Sequence, residues 1–162
     1  MFNKTKKEKL NQGFGLIEVI VGVAIISVAF LGLMSVANLS FKILEKSSNN
    51  IKAGFLLEEG VEAVKIIRDS GWSNISSLSN GVNYYLNYNG TTWATTTTPV
   101  YMDNLFERTF VLNDVSRDIN DDIADSGTVD PDTKKITISV SWKDGGGTIT
   151  QSFSTYITNL FE

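Results

Sequence analysis

Asn11-Gln12-Gly13-Phe14-Gly15-Leu16-Ile17-Glu18-Val19-Ile20 is the stretch on which the reading of this chain turns. Ahead of Gly13 the sequence is short and basic, with Lys4, Lys6, Lys7 and Lys9 against Glu8 alone. Beyond it, the 24 residues from Phe14 to Ala37 carry a single charge, Glu18. As a helix this run is about 36 Å long, enough to cross a hydrocarbon core of about 30 Å with some tilt. It exceeds the roughly 7–15 residues of a secretory signal's apolar region. It is apolar on every face, which predicts burial all round, in lipid or among other helices. The basic flank predicts a cytoplasmic N-terminus and an outward C-terminus.

Glu18 is the anomaly in that run. A carboxylate at the centre of a membrane helix costs about 2.5–3.5 kcal/mol on insertion scales, so such a residue is normally functional and partnered. No Lys or Arg lies between Gly13 and Lys42, so the helix itself supplies no partner.

The junction of a basic leader, Gly13, Phe14, Leu16, Ile17 and Glu18 with a long apolar run resembles the N-terminus of type IV prepilins and of the pseudopilins of type II secretion. Gly15 stands where that family usually has Thr or Ser, and Ser35 where many major pilins have proline. The resemblance implies cleavage after Gly13 by a membrane prepilin peptidase and N-methylation of the new Phe14 terminus. It also implies that Glu18 guides docking into a filament, pairing with the Phe14 amine of a neighbouring subunit. The implied partners are the peptidase, other pilin or pseudopilin subunits, an inner-membrane assembly platform and membrane lipid. No cofactor is implied.

Composition narrows the function classes. There is no Cys and no His among the 162 residues. That excludes a Cys nucleophile, a Cys/His metal site and a Ser-His-Asp triad, and no other catalytic constellation is visible. Removing the leader's four Lys and one Glu from the totals of 14 basic and 18 acidic residues leaves 10 against 17, a charge of −7. An acidic exterior is a poor match for DNA phosphates, so nucleic acid is not an expected partner.

From Asn38 to Asp69 the helical pattern continues with one apolar stripe, Ala53, Leu56, Leu57, Gly60, Val61, Val64 and Ile67. Glu58, Glu59, Glu62, Lys65 and Arg68 mark the wetter faces. Gly71 is the expected left-handed C-cap. By resemblance to pilins, Gly32 to Ser35 is a weak segment that unwinds on polymerisation.

After Gly71 the period falls from 3.6 to 2. Trp72 to Leu78 connects, tucking Trp72 and Leu78 against the helix. Asn83–Tyr88 and Thr91–Thr98 flank Asn89-Gly90 as a hairpin. Leu105–Val115 is a strand with Phe106, Arg108, Phe110 and Leu112 on one face. Lys135–Trp142 turns Ile136, Ile138, Val140 and Trp142 inward. Asp144–Gly147 leads back into Thr148–Leu160. The expected fold is therefore α+β: a long N-terminal helix, half transmembrane and half amphipathic, packed on a C-terminal antiparallel sheet of four or five strands. This is also the pilin fold. The expected divisions are a leader over 1–13, helix halves over 14–37 and 38–70, and a β head over 71–162.

Between two strands, Asp118, Asn120, Asp122 and Asp125 offer oxygen ligands of the kind calcium takes. Ile123 replaces the turn glycine of an EF-hand and Val129 its bidentate glutamate, so a solvated acidic loop is the preferred reading. Asp130-Pro131-Asp132-Thr133 reads as a turn. The functional expectation is a structural subunit of a pilus-like filament. Its rivals are a membrane-tethered binding protein that never polymerises and a DNA-uptake pilin.

Overall fold

The structure, a computed structural model, describes residues 15–160. The chain divides into two compact units, one ending at Glu45 and one running Lys46–Glu162. A single helix, α1 (Leu16–Asp69), contributes to both.

In the first unit α1 exposes large apolar side chains on all its faces, among them Leu16, Ile17, Ile25, Phe30 and Leu33. The helix is long and apolar enough to cross a membrane. Its few hydroxyls are satisfied locally. Ser27, Ser35 and Ser40 donate to the carbonyls of Val23, Leu31 and Val36, four residues back, at 2.8, 3.0 and 2.9 Å. Such back-bonding lets serine enter an apolar solvent without an orphaned donor. The helix is continuous through Gly32–Ser35.

The second unit is a two-layer α+β domain. α1 ends at Asp69, and Ser70 N–H closes the last turn on the Ile66 carbonyl at 3.0 Å. Gly71 follows with φ 149°, which needs glycine but is not the left-handed cap expected from sequence. Its N–H donates to the Arg68 carbonyl at 3.0 Å. A four-residue helix, α2 (Ser73–Ser76), then buries Ile75 completely. Trp72 and Leu78 flank it, packed against the same core.

The sheet strands are β1 (Tyr84–Tyr88), β2 (Trp93–Thr96), β3 (Tyr101–Met102), β4 (Phe106–Arg117), β5 (Ile123–Ala124), β6 (Thr128–Asp144) and β7 (Gly147–Thr158). The antiparallel path is β2-β1-β4-β6-β7, with β3 and β5 pairing β4. Five strands make the path, as expected, and two two-residue strands bring the total to seven. The Asn89-Gly90 turn is wider than a two-residue turn: Asn89 Oδ1 accepts the N–H groups of Thr91 and Thr92 at 3.0 and 2.9 Å. The β6–β7 hairpin is tight, with Asp144 opposite Gly147 and both Gly145 and Gly146 at positive φ. Type I′ turns require that combination.

Two readings of the acidic region change. β4 continues to Arg117, and β5 pairs it within the expected loop. Asp130-Pro131-Asp132-Thr133 is a bulge inside β6 rather than a turn before it: Asp114 pairs with Lys134, but Val115 pairs with Asp130. Pro131 is tolerated there because a bulged residue owes no ladder hydrogen bond. Pairing to the long β4 overrides the poor strand propensity of Asp and Pro.

The alternation on β4 and β6 sets the core. Phe110, Leu112, Ile136 and Ile138 pack with Ala63, Val64 and Ile67 of α1, and Phe106, Val140 and Trp142 pack around Ala53. Each large buried side chain contributes about 1.5–3 kcal/mol. One charge lies within this layer. Arg108 is 3 % exposed, and its Nη1 donates to the Leu56 carbonyl at 3.0 Å and to Glu59 at 2.8 Å. Its Cζ stands 5.4 Å from the Trp93 ring centroid. Gly60 makes the room, since a Cβ there would lie 3.1 Å from Arg108 Cδ and 3.0 Å from Ile138.

Glu59 is half exposed, so removing Arg108 does not strand a buried carboxylate. Truncation mainly opens a cavity. Arg108→Ala is expected to cost about 2–5 kcal/mol, whereas Arg108→Met, which refills the space, stays within about 1.5 kcal/mol of the parent. Denaturant unfolding of the two variants side by side checks this.

Candidate functional site

The candidate assembly site is the start of α1. Gly13 and Phe14, the expected cleavage and methylation positions, lie outside the described residues. Gly15 precedes the helix, and its carbonyl accepts the N–H groups of Glu18 and Val19 at 3.0 and 3.3 Å. Glu18 therefore occupies the first turn of α1. Helix N-termini carry about half a unit of positive charge, which favours a carboxylate in that turn. Sequence reasoning treated Glu18 as four residues inside an apolar rod, without a local partner. Its place in the first helical turn follows once the helix starts at Leu16.

The second candidate is the acidic segment after β4. Asp118 Oδ1 accepts the backbone N–H groups of Asn120 and Asp122 at 2.8 and 3.0 Å, and Asp118 N–H donates to the Asp122 carbonyl at 2.9 Å. That carboxylate closes a turn. Asp125 lines a separate cavity of about 410 Å³ with Asp114, Lys135 and Tyr156. Asp118, Asn120 and Asp122 share that turn while Asp125 lines the other cavity, and among the described residues no group of three or more His, Cys, Asp or Glu side chains is placed to hold a metal ion.

The positive charge in this segment comes from the protein itself. Arg117 Nε donates to Asp130 at 2.6 Å, Nη1 to the Asp121 carbonyl at 2.8 Å and Nη2 to Thr133 at 3.4 Å. Gly127 closes the loop against this group, since a Cβ there would lie 2.0 Å from the Arg117 carbonyl oxygen. The hydrogen bond from Arg117 holds the Asp130 carboxyl below the usual carboxylate range, and Lys134 does the same for Asp114. A lowered folded-state pKa contributes stability that is complete above the unfolded value, about 3.9, and is lost as pH falls through the folded one. The head is expected to lose stability below about pH 3.9, and Asp130→Asn is expected to flatten that acid limb. Thermal unfolding followed across pH checks it.

Residues 9–34 match the family model described as the prokaryotic N-terminal methylation motif. The N-terminal segment is type IV prepilin-like. No curated protein and no solved structure matches it. The matched segment spans the expected junction, Glu18 and most of the apolar run. The match stops short of the head, which is described by its fold alone, a long N-terminal helix on an antiparallel sheet.

Proposed function

We propose that this prepilin-like protein is a structural subunit, a minor pilin or pseudopilin, of a type IV pilus-like filament. The leader over 1–13 is removed after Gly13, Phe14 is methylated, and residues 14–37 hold the chain in the cytoplasmic membrane until assembly. The C-terminal head lies outside the cytoplasm. In the filament, Glu18 meets the Phe14 amine of a neighbouring subunit, which replaces the water both charges lose. The observation that carries this reading is one carboxylate in the first turn of a membrane-length apolar helix, inside the segment matching the methylation motif. A motif of this kind points to a structural rather than an enzymatic protein.

Intact and peptide mass spectrometry of the protein from membranes tests the proposal. The expected chain begins at N-methylated Phe14. A chain that retains Met1 to Gly13 in cells with an active prepilin peptidase sinks the filament reading and favours a tethered binding protein. Direct DNA binding is not expected of a mature chain with seven more acidic than basic side chains.

A further inference from the structure

β7 is one edge of the sheet, and little guards it. Gly147–Thr158 contains no charged residue and no proline. Its register with β6 runs unbroken from Thr133 opposite Thr158 to Asp144 opposite Gly147. Natural sheets keep free edges from pairing with lysines, prolines, bulges or short strands. The opposite edge strand, β2, has only four residues, whereas β7 has twelve.

The register shows which backbone groups face outward. Asn159 N–H donates to the Asp132 carbonyl at 2.8 Å while Thr158 stands opposite Thr133. That makes Thr133–Thr158 a non-hydrogen-bonded pair of the ladder. The N–H and C=O groups of Thr158, and by the two-residue repeat those of Tyr156, Ser154, Ser152 and Thr150, therefore point away from β6. All five residues are exposed. The side chains agree with this assignment. They stand closer in non-hydrogen-bonded pairs, and Thr137–Ser154, Ser139–Ser152 and Ser141–Thr150 bridge at 2.8, 2.9 and 2.9 Å.

On the inner side of the same edge an open groove of about 630 Å³ lies between α1 and β7, lined by Leu57, Val61, Phe153, Glu58, Glu62 and Lys65. Phe153 is opposite the fully buried Ile138 yet is 51 % exposed, because the layer of α1 side chains ends short of it. Lys65 is bonded to Glu62 at 2.7 Å. Glu58 has no ion-pair partner among the described residues.

We infer that β7 is a docking edge for an extended segment of another protein, which adds to the sheet as a further strand and presents apolar residues alternating with Lys or Arg on its inward side. The outward N–H and C=O groups of β7 supply the pairing. An apolar inward side chain covers Phe153 and fills the groove, and a basic one meets Glu58. A second copy of β7 is a poorer occupant. α1 runs parallel to β7 in this unit, since Ile149 packs in the cluster around Ala53 and Ile157 in the cluster around Val64. Antiparallel pairing of two β7 edges about a two-fold axis normal to the sheet points the two α1 helices in opposite directions. Such a copy also brings no basic side chain to Glu58, since β7 has none. The inference concerns the head and is independent of processing at Gly13.

The test uses the full-length protein in detergent micelles and a short labelled peptide with alternating valine and lysine on one face and threonine on the other. Fluorescence anisotropy is expected to show saturable binding. N-methylating the peptide amides that face β7 is expected to weaken it by roughly tenfold or more, because it removes the pairing donors and keeps the side chains. Glu58→Lys is expected to weaken it as well. No binding, binding that survives N-methylation, or a β7-to-β7 dimer in sedimentation overturns the proposal. The N-methylated peptide needs no protein variant, so a folding failure of Glu58→Lys leaves the result readable.

Discussion

Replacing Phe110 by alanine is expected to cost the head about 3–5 kcal/mol, a large share of the 5–15 kcal/mol that usually holds a domain folded. Phe110 is completely buried in the central strand β4. It pairs with Ile138 on one side and Tyr84 on the other, and its ring centroid is 5.6 Å from that of Tyr84. Truncation leaves a void that reaches both neighbouring strands. The transfer and cavity terms therefore add. Tryptophan fluorescence during denaturant unfolding reads the effect, since Trp72 and Trp93 pack on the same cluster. A loss under about 1 kcal/mol would mean that the core around Phe110 collapses far more readily than close-packed interiors do.

The second large effect concerns Glu18 and has opposite signs in two states. Removing the carboxylate with Glu18→Ala relieves membrane insertion, by less than the roughly 2.5–3.5 kcal/mol of a charge at the helix centre, because Glu18 lies in the first turn. Accumulation in the membrane should therefore be unchanged or higher. In the filament proposed above, the same change would leave the neighbour's Phe14 amine without its counter-charge in a low-dielectric setting, where breaking such a pair costs about 3–5 kcal/mol. Incorporation into filaments is expected to fall by roughly a hundredfold or more. Quantifying the protein in membranes and in sheared filaments from the same cells separates the two. A parallel fall in both fractions would mean that Glu18 acts on folding or insertion, and equal recovery in both would remove it from assembly.

The helix stripe was legible because its apolar residues keep one period from Ala53 to Ile67, and only Ala63 was missed among the buried positions. The inward faces of β4 and β6 were legible because strict alternation survives burial of one face. Arg108 fell on the correct face by parity alone. That a guanidinium fits there depends on the space over Gly60 and the carbonyl of Leu56, some 50 residues away in sequence, which no local pattern encodes. β3, β5 and the bulge at Asp130–Thr133 were hidden for a related reason. Two-residue pairings follow from an existing neighbour, and acidic composition argued for a loop. At the N-terminal site the residue types were legible, while the place of Glu18 within the helix's first turn awaited the helix boundary. The docking edge on β7 was visible only as alternation, since exposure of its outward backbone depends on where the strand falls in the sheet order.

The way α1 is held to the sheet also bears on mechanical load. Antiparallel strands β4, β6 and β7 are laced by backbone hydrogen bonds along most of their length. Within the second unit, α1 meets that lattice through interlocked side chains and a few polar clasps, Arg108 to Leu56 and Glu59, and Gln151 to Asn50. A pull along the helix is therefore resisted in shear by knobs such as Val64 and Ile67, and the weakest seam under tension is the one between layers. The sheet is expected to leave the helix intact before any of its own long strands part.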